Sequence, residues 1–175
     1  MRTMVEVWPG LHVGNELDYE RNVRQREGWS VVHACKEPYH RNAVGYRTPL
    51  VDSAHPEALV ARRGERIMLN LVDMTDPEYI PKEAVDAALA FIHEALQAGR
   101  QVLLHCNQGS SRSPTIALLY LLAHTGRFAS RTFDEAELEF RVLYPPYAPA
   151  LGMYEFARQH FAHYVNAGGS PAPRR

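Results

Sequence analysis

Apolar positions along this chain fall into short runs set between longer stretches of helical period. Val5 to Val13 is broken at Pro9-Gly10 and predicts one or two short strands. Glu16 to Glu27 is polar and helix-permissive, and Gly28 is placed to end it. Trp29 to Cys35 is β-branched and apolar, as a strand requires, and Ile67 to Val72 is similar. Between them, Lys36 to Arg66 is long, polar and without a clear period.

From Lys82 to Ala98 the period becomes helical. Val85, Ala88, Leu89, Ile92 and Leu96 share one face, Pro81 opens the segment and Gly99 closes it. Gln101 to His105 predicts a buried central strand. Pro114 to Thr125 is apolar almost throughout, as befits a buried helix, and Gly126 ends it. Thr132 to Leu143 and Ala150 to Val165 predict two more helices. Strands alternating with helices predict an α/β fold: one three-layer domain with a central, largely parallel mixed sheet flanked by helices. The domain is expected over 1–166, with a disordered tail over 167–175 that is rich in Gly, Pro and Arg.

Composition narrows this picture. A chain of 175 residues that is 46% hydrophobic can bury one full core. Its formal net charge of -1 gives no global field for nucleic acid. No run of about twenty apolar residues is present, so no membrane association is expected. The chain has two cysteines, Cys35 and Cys106, which is too few for a disulfide framework. A reducing, cytoplasmic setting and a monomer are expected.

One stretch carries the chemistry: His105-Cys106-Asn107-Gln108-Gly109-Ser110-Ser111-Arg112-Ser113. A cysteine stands where a strand ends, and an arginine stands where a helix begins. The small residues between them can form a cup of backbone N–H groups suited to a tetrahedral dianion. Asn107, Gln108, Gly109, Ser110, Ser111 and Arg112 are therefore the candidate phosphate ligands. A helix N-terminus and a guanidinium both favour the thiolate, so Cys106 is the candidate nucleophile. Arg112 offers a planar fork that matches two phosphoryl oxygens. Ser113 is placed to cap the following helix or to donate to the cysteine sulfur. The leaving oxygen needs a proton, and Asp73 and Asp76 follow the Ile67 strand. No cofactor or metal is called for. His160 and His163 stand three apart on the last predicted helix, without an evident third ligand.

The His-Cys, five residues, Arg-Ser pattern resembles the Cys-based protein tyrosine phosphatase superfamily, and Gly-x-Ser-Arg-Ser-Pro is most similar to its dual-specificity phosphatases. Trp8-Pro9-Gly10-Leu11-His12-Val13-Gly14-Asn15 resembles the start of such domains. The resemblance covers Val5 to Phe161. It implies a phosphoprotein or phosphopeptide substrate and a phosphocysteine intermediate. It further implies Asp73 as general acid ahead of Asp76, His105 as a support behind the cysteine, and Asn15 as a brace of the loop. Dual specificity is expected because the chain is too short for a deep pocket wall. Inositol phosphates or phosphoinositides are the alternative, with Arg62 and Arg63 folding over the site; a non-catalytic phosphate-binding module is a third reading. Cys35 is either a redox partner of Cys106 or a small buried residue. Lys36 to Arg66 is either a recognition segment or a surface insertion. Tyr144-Pro145-Pro146-Tyr147 stands where relatives carry a Pro-Asn pair, which leaves the contacts there open.

Overall fold

A computed structural model of the chain describes residues 4–167. The predicted tail lies outside the described residues, apart from Ala167, which ends the last helix.

A six-stranded sheet organises the domain. Its strands are β1 (Val5–Trp8), β2 (Leu11–Gly14), β3 (Trp29–His33), β4 (Val60–Arg63), β5 (Arg66–Leu69) and β6 (Gln101–His105), in the order β1-β2-β6-β3-β5-β4. β6 runs parallel to β2 and β3, and β5 runs parallel to β3. The edge strands β1 and β4 are antiparallel to their neighbours. Val102, Leu103 and Leu104 of β6 are fully buried because strands flank β6 on both sides and side chains cover both faces.

The larger core covers one face of the sheet. It is built from α3 (Lys82–Gln97), α4 (Arg112–His124), α5 (Phe133–Leu143) and α6 (Leu151–Ala167). α4 is enclosed from Arg112 to Ala123, which explains why its sequence lacks a polar face. The other face is covered by α1 (Glu16–Asp18), a wide helical turn at Tyr19–Val23, a second at Lys36–His40, and α2 (Arg41–Val44). These close over Tyr19, Val23, Val31, Cys35, Tyr39, Met68 and Leu103. No helix of the described residues is long and apolar enough to cross a membrane.

The structure departs from the sequence pattern in several places. The helix expected over Glu16 to Glu27 is only α1 and the turn after it. Tyr19 and Val23 are the buried anchors, and the polar residues beyond them have no apolar face to pack. The Ile67 strand stops at Leu69, because the Leu71 carbonyl leaves the sheet to accept from the Lys36 N–H at 3.0 Å and from Arg112. Part of the Lys36 to Arg66 stretch is β4, an edge strand with no alternating signature. The rest is tied down by buried His40, whose ring nitrogens meet Tyr46 Oη at 3.1 Å and the Glu57 carbonyl at 2.9 Å.

Gly152, in the first turn of α6, matters for the loop after β5. Its N–H donates to the Met74 carbonyl at 3.0 Å, and a Cβ there would run into that same carbonyl. The contact is backbone to backbone, so neither side can turn away. Gly152→Ala is expected to cost about 2 kcal/mol by overpacking, read as a lower urea midpoint, although alanine is the better helix former. An unchanged midpoint would mean that the α6 contact does not hold the loop.

Candidate active site

The stretch between the end of β6 and the start of α4 is turned inside out by hydrogen bonds from neighbouring segments. The Asn107 carbonyl accepts from the Glu16 N–H at 3.3 Å, and the Ser110 carbonyl from the Ala148 N–H at 2.8 Å. The Gly109 carbonyl accepts from Tyr144 Oη at 2.7 Å. The Ser111 carbonyl accepts from the Thr115 N–H at 3.0 Å and from Thr115 Oγ1 at 2.7 Å. With these carbonyls tied outward, the loop amides face inward. Among the described residues, the N–H groups of Asn107, Gln108, Ser110 and Ser111 donate to no protein acceptor. Gly109 allows the turn: its φ is +75°, and a Cβ would stand 2.9 Å from the Gly14 carbonyl oxygen.

Cys106 lies at the base of this cup, 1% exposed. Its Sγ accepts from the Gly109 N–H at 3.3 Å and is 3.3 Å from Ser113 Oγ. Ser113 is not the helix cap, because α4 begins at Arg112, before Pro114. The cap position is Ser111, and its hydroxyl does not cap either; it donates to Asp73 Oδ1 at 2.7 Å. The positive end of α4 is therefore left open toward the cup.

Arg112 is anchored by donating to the Leu71 carbonyl at 3.1 Å and to Asn107 Oδ1 at 2.9 Å. Its Nε is 3.2 Å from Asp73 Oδ2 but misaligned for a hydrogen bond, so a buried donor is left without an acceptor. Asp73 thus reaches both the cup rim and the guanidinium. Asp76 faces elsewhere: its Oδ1 accepts from the Glu78 N–H at 2.9 Å and caps the turn at Pro77–Tyr79.

The Asn107 side chain acts as a clamp, donating to Glu16 Oε2 at 3.0 Å and to the Glu37 carbonyl at 2.9 Å. Asn15 braces the loop only indirectly. Its side chain accepts from the Asp18 N–H at 3.0 Å, starting α1, and the next N–H, that of Glu16, holds the Asn107 carbonyl. His105 is fully buried behind the cup, with Nδ1 3.2 Å from the Cys106 carbonyl.

Cys35 and Cys106 are buried free thiols in different core clusters. Burial pushes the Cys35 thiol well up, as for a small apolar residue. Arg62 and Arg63 do not fold over the site. They lie toward the end of β4 remote from Cys106 and pair with Glu94 at 3.2 Å and Glu57 at 2.6 Å. No group of three or more His, Cys, Asp or Glu placed to hold a metal occurs among the described residues.

Sequence pattern missed the support from beyond α5. Tyr144 and the N–H groups of Ala148 and Ala150 hold the loop from outside, the last donating to Ser111 Oγ at 2.9 Å. A buried tyrosine in a Pro-rich connection was the available signal, since a buried phenol needs a partner.

Comparison with known proteins agrees with this geometry. The family profile described as dual specificity phosphatase, catalytic domain, matches residues 48–135. Dual specificity protein phosphatase 26 of Homo sapiens is 33% identical over 121 residues, 68% of this chain and 51% of that protein. Dual specificity protein phosphatase 12 of Homo sapiens is 30% identical over 144 residues, 81% of this chain and 36% of that protein. The chain thus spans about half the length, or less, of these relatives. Among solved structures, human DUSP28 superposes with a TM-score of 0.63 at 18% identity, covering 93% of this chain and 95% of that one. Human tyrosine phosphatase-like serine/threonine/tyrosine-interacting protein gives 0.61 at 20% identity, covering 94% and 99%. At these identities the structures establish a shared fold.

The histidines behind the cup make stability depend on pH. Burial pushes His105 down from 6.5 to about 4, and it pushes His33 down as well. As pH falls below 6.5, the unfolded chain takes up protons that the folded chain refuses. Stability present above that pH is therefore lost on the way to pH 4. His105 alone is expected to cost about 1 kcal/mol between pH 7 and pH 5.5, read as a falling urea midpoint. A His33→Gln/His105→Gln double variant should show a flatter dependence. An equally steep one would place the source elsewhere.

Proposed function

This chain belongs to the dual-specificity phosphatase family, and from that premise we propose that it hydrolyses phosphomonoesters on phosphoproteins, phosphotyrosine together with phosphoserine and phosphothreonine, through a phosphocysteine intermediate. The observation that carries this reading is the inverted loop, with carbonyls tied outward, amides facing inward and Cys106 Sγ at its base.

In the proposed reaction the phosphoryl oxygens accept from the loop N–H groups and from Arg112, whose unpartnered Nε supplies one donor. An arriving dianion competes with Asp73 for that guanidinium. Arg112 turns to the phosphate, and Asp73 is freed at the rim. The Cys106 thiolate attacks phosphorus in line, forming the S–P bond as the P–O bond to the leaving group breaks. Asp73, released from the guanidinium and protonated from solvent, gives that proton to the departing oxygen. Water then attacks the phosphocysteine, Asp73 takes its proton, and the S–P bond breaks. Ser113 Oγ, 3.3 Å from the sulfur and donating to the Gly14 carbonyl at 3.2 Å, turns its hydroxyl proton to the returning thiolate.

Neutral loop side chains at Gln108, Ser110 and Ser111, with Arg62 and Arg63 held far from the cup, favour a substrate with a single phosphate. The inositol phosphate alternative loses the two cations suggested for it, since Arg62 and Arg63 are held in ion pairs with Glu94 and Glu57.

The test is hydrolysis of para-nitrophenyl phosphate in excess chelator, followed by phosphopeptide and inositol phosphate panels. Turnover is expected in the wild type and is expected to vanish in Cys106→Ser. No turnover from folded, reduced protein would leave a phosphate-binding module. Asp73→Asn should slow phenyl phosphate by about 100-fold or more, and para-nitrophenyl phosphate much less, since its leaving group hardly needs a proton. Asp76→Asn should leave that dependence as in the wild type; the reverse pattern would move the acid to Asp76.

A further inference from the structure

Behind Cys106, on the face of the sheet away from α4, three side chains form a continuous line. Arg66 Nε donates to His33 Nε2 at 3.0 Å, His33 Nδ1 is 2.6 Å from His105 Nε2, and His105 Nδ1 is 3.2 Å from the Cys106 carbonyl. We infer that Arg66 and His33 are positioning residues that fix the tautomer of His105 and so aim its N–H at the Cys106 carbonyl. The inference rests on the phosphatase reading only for its effect on turnover; the proton positions stand apart from it.

The direction of the line follows from the donor at its head. A guanidinium has no acceptor, so His33 Nε2 must present a lone pair to Arg66. His33 is buried and neutral, which leaves its one proton on Nδ1. That proton points at His105 Nε2, which must therefore accept. His105 is neutral as well, so its proton sits on Nδ1 and donates to the Cys106 carbonyl. The proton positions on both imidazoles are thus dictated by a single arginine. The opposite tautomer of His105 would set a lone pair against the carbonyl, loosening the residue at the base of the cup.

Strand register makes the line possible. His33 pairs with His105 across β3 and β6, and Arg66 pairs with Val31, one step back on the same face. Tyr19 stacks on His105 at 5.3 Å and 4°, and Tyr39 stacks on His33 at 4.3 Å and 21°. The Arg66 guanidinium also lies 5.5 Å from the Tyr19 ring centre. Glu20, the nearby carboxylate, is engaged by Tyr39 Oη at 2.9 Å and by Arg24 at 2.7 Å. Arg112 approaches from α4 and donates elsewhere. Among the described residues, neither ring hydrogen-bonds a carboxylate that could reverse the line.

The first experiment is a long-range ¹H–¹⁵N imidazole spectrum of the whole chain. It should show both His33 and His105 as Nδ1–H tautomers; an Nε2–H signal for either would overturn the inference. The second compares His33→Gln, whose amide can accept from Arg66 and donate to His105, with His33→Leu, which can do neither. His33→Leu should lower kcat by about tenfold or more with little change in KM, as a misdirected histidine does. His33→Gln should recover most of that loss. Iodoacetamide labelling of Cys106, which needs no turnover, should slow in His33→Leu and recover in His33→Gln. This readout separates failure of the line from failure of the phosphatase reading. Should His33→Leu not fold, Arg66→Met changes a partly exposed residue and should also slow labelling. Equal labelling in folded wild type and Arg66→Met, or equal rates for His33→Gln and His33→Leu, would overturn the assignment.

Discussion

A peptide loop presents its N–H groups inward only if its carbonyls have somewhere else to go, and that requirement governs the Cys106 loop. Buried carbonyls without partners would each cost on the order of 1–3 kcal/mol. Here they are met by Glu16, Tyr144, Ala148 and Thr115, which come from separate parts of the chain. The segment after β2, the connection beyond α5 and the first turn of α4 must all be in place before the cup exists. Gly109 is the backbone counterpart, since its positive φ and close approach to Gly14 leave no room for a side chain. Helix α4 has no side-chain cap, so its first N–H groups stay open toward the cup.

The loop after β5 is held in a similar way. Leu71 turns out of the sheet because Lys36 and Arg112 both claim its carbonyl, and Met74 is held by Gly152 of α6. Between these anchors Asp73 is carried to Ser111 and Arg112. Without a substrate, the carboxylate and the guanidinium neutralise each other. In the proposed reaction a phosphate dianion replaces one partner of that pair with a stronger one, so substrate binding and release of Asp73 are a single electrostatic event. The Arg66–His33–His105 line supports the same centre from the opposite face of the sheet.

The Lys36 to Arg66 region, which the family profile enters at residue 48, is held by contacts of its own. It is a folded part of the domain. His40 is buried and bonded at both nitrogens, Arg41 is bidentate to Glu37, and β4 completes the sheet. Arg62 and Arg63, suggestive in sequence, serve ion pairs at the far end of the sheet.

Much of this protein was legible in its sequence. Gln101 to His105 was read as the central strand, and Lys82 to Ala98 as a helix within a residue at its end, because burial on two faces or on one stripe writes itself into apolar spacing. Cys106, Arg112 and Asp73 could be chosen because their chemistry fixes residue type and local order. Contacts made by backbone groups or by residues distant in sequence could not be read this way. Tyr144 under Gly109, Glu16 on Asn107, Ser111 on Asp73, and the pairing of His33 with His105 depend on strand order and register, which carry no local signature. Edge strand β4 and the shortened α1 were missed for a related reason: their residues are held by neighbours rather than by a pattern of their own. The sequence by itself determined the candidate reactive groups and the elements that carry them. Only the tertiary structure decided where each carbonyl and imidazole proton points, because those directions are set by partners that the fold brings together from far along the chain.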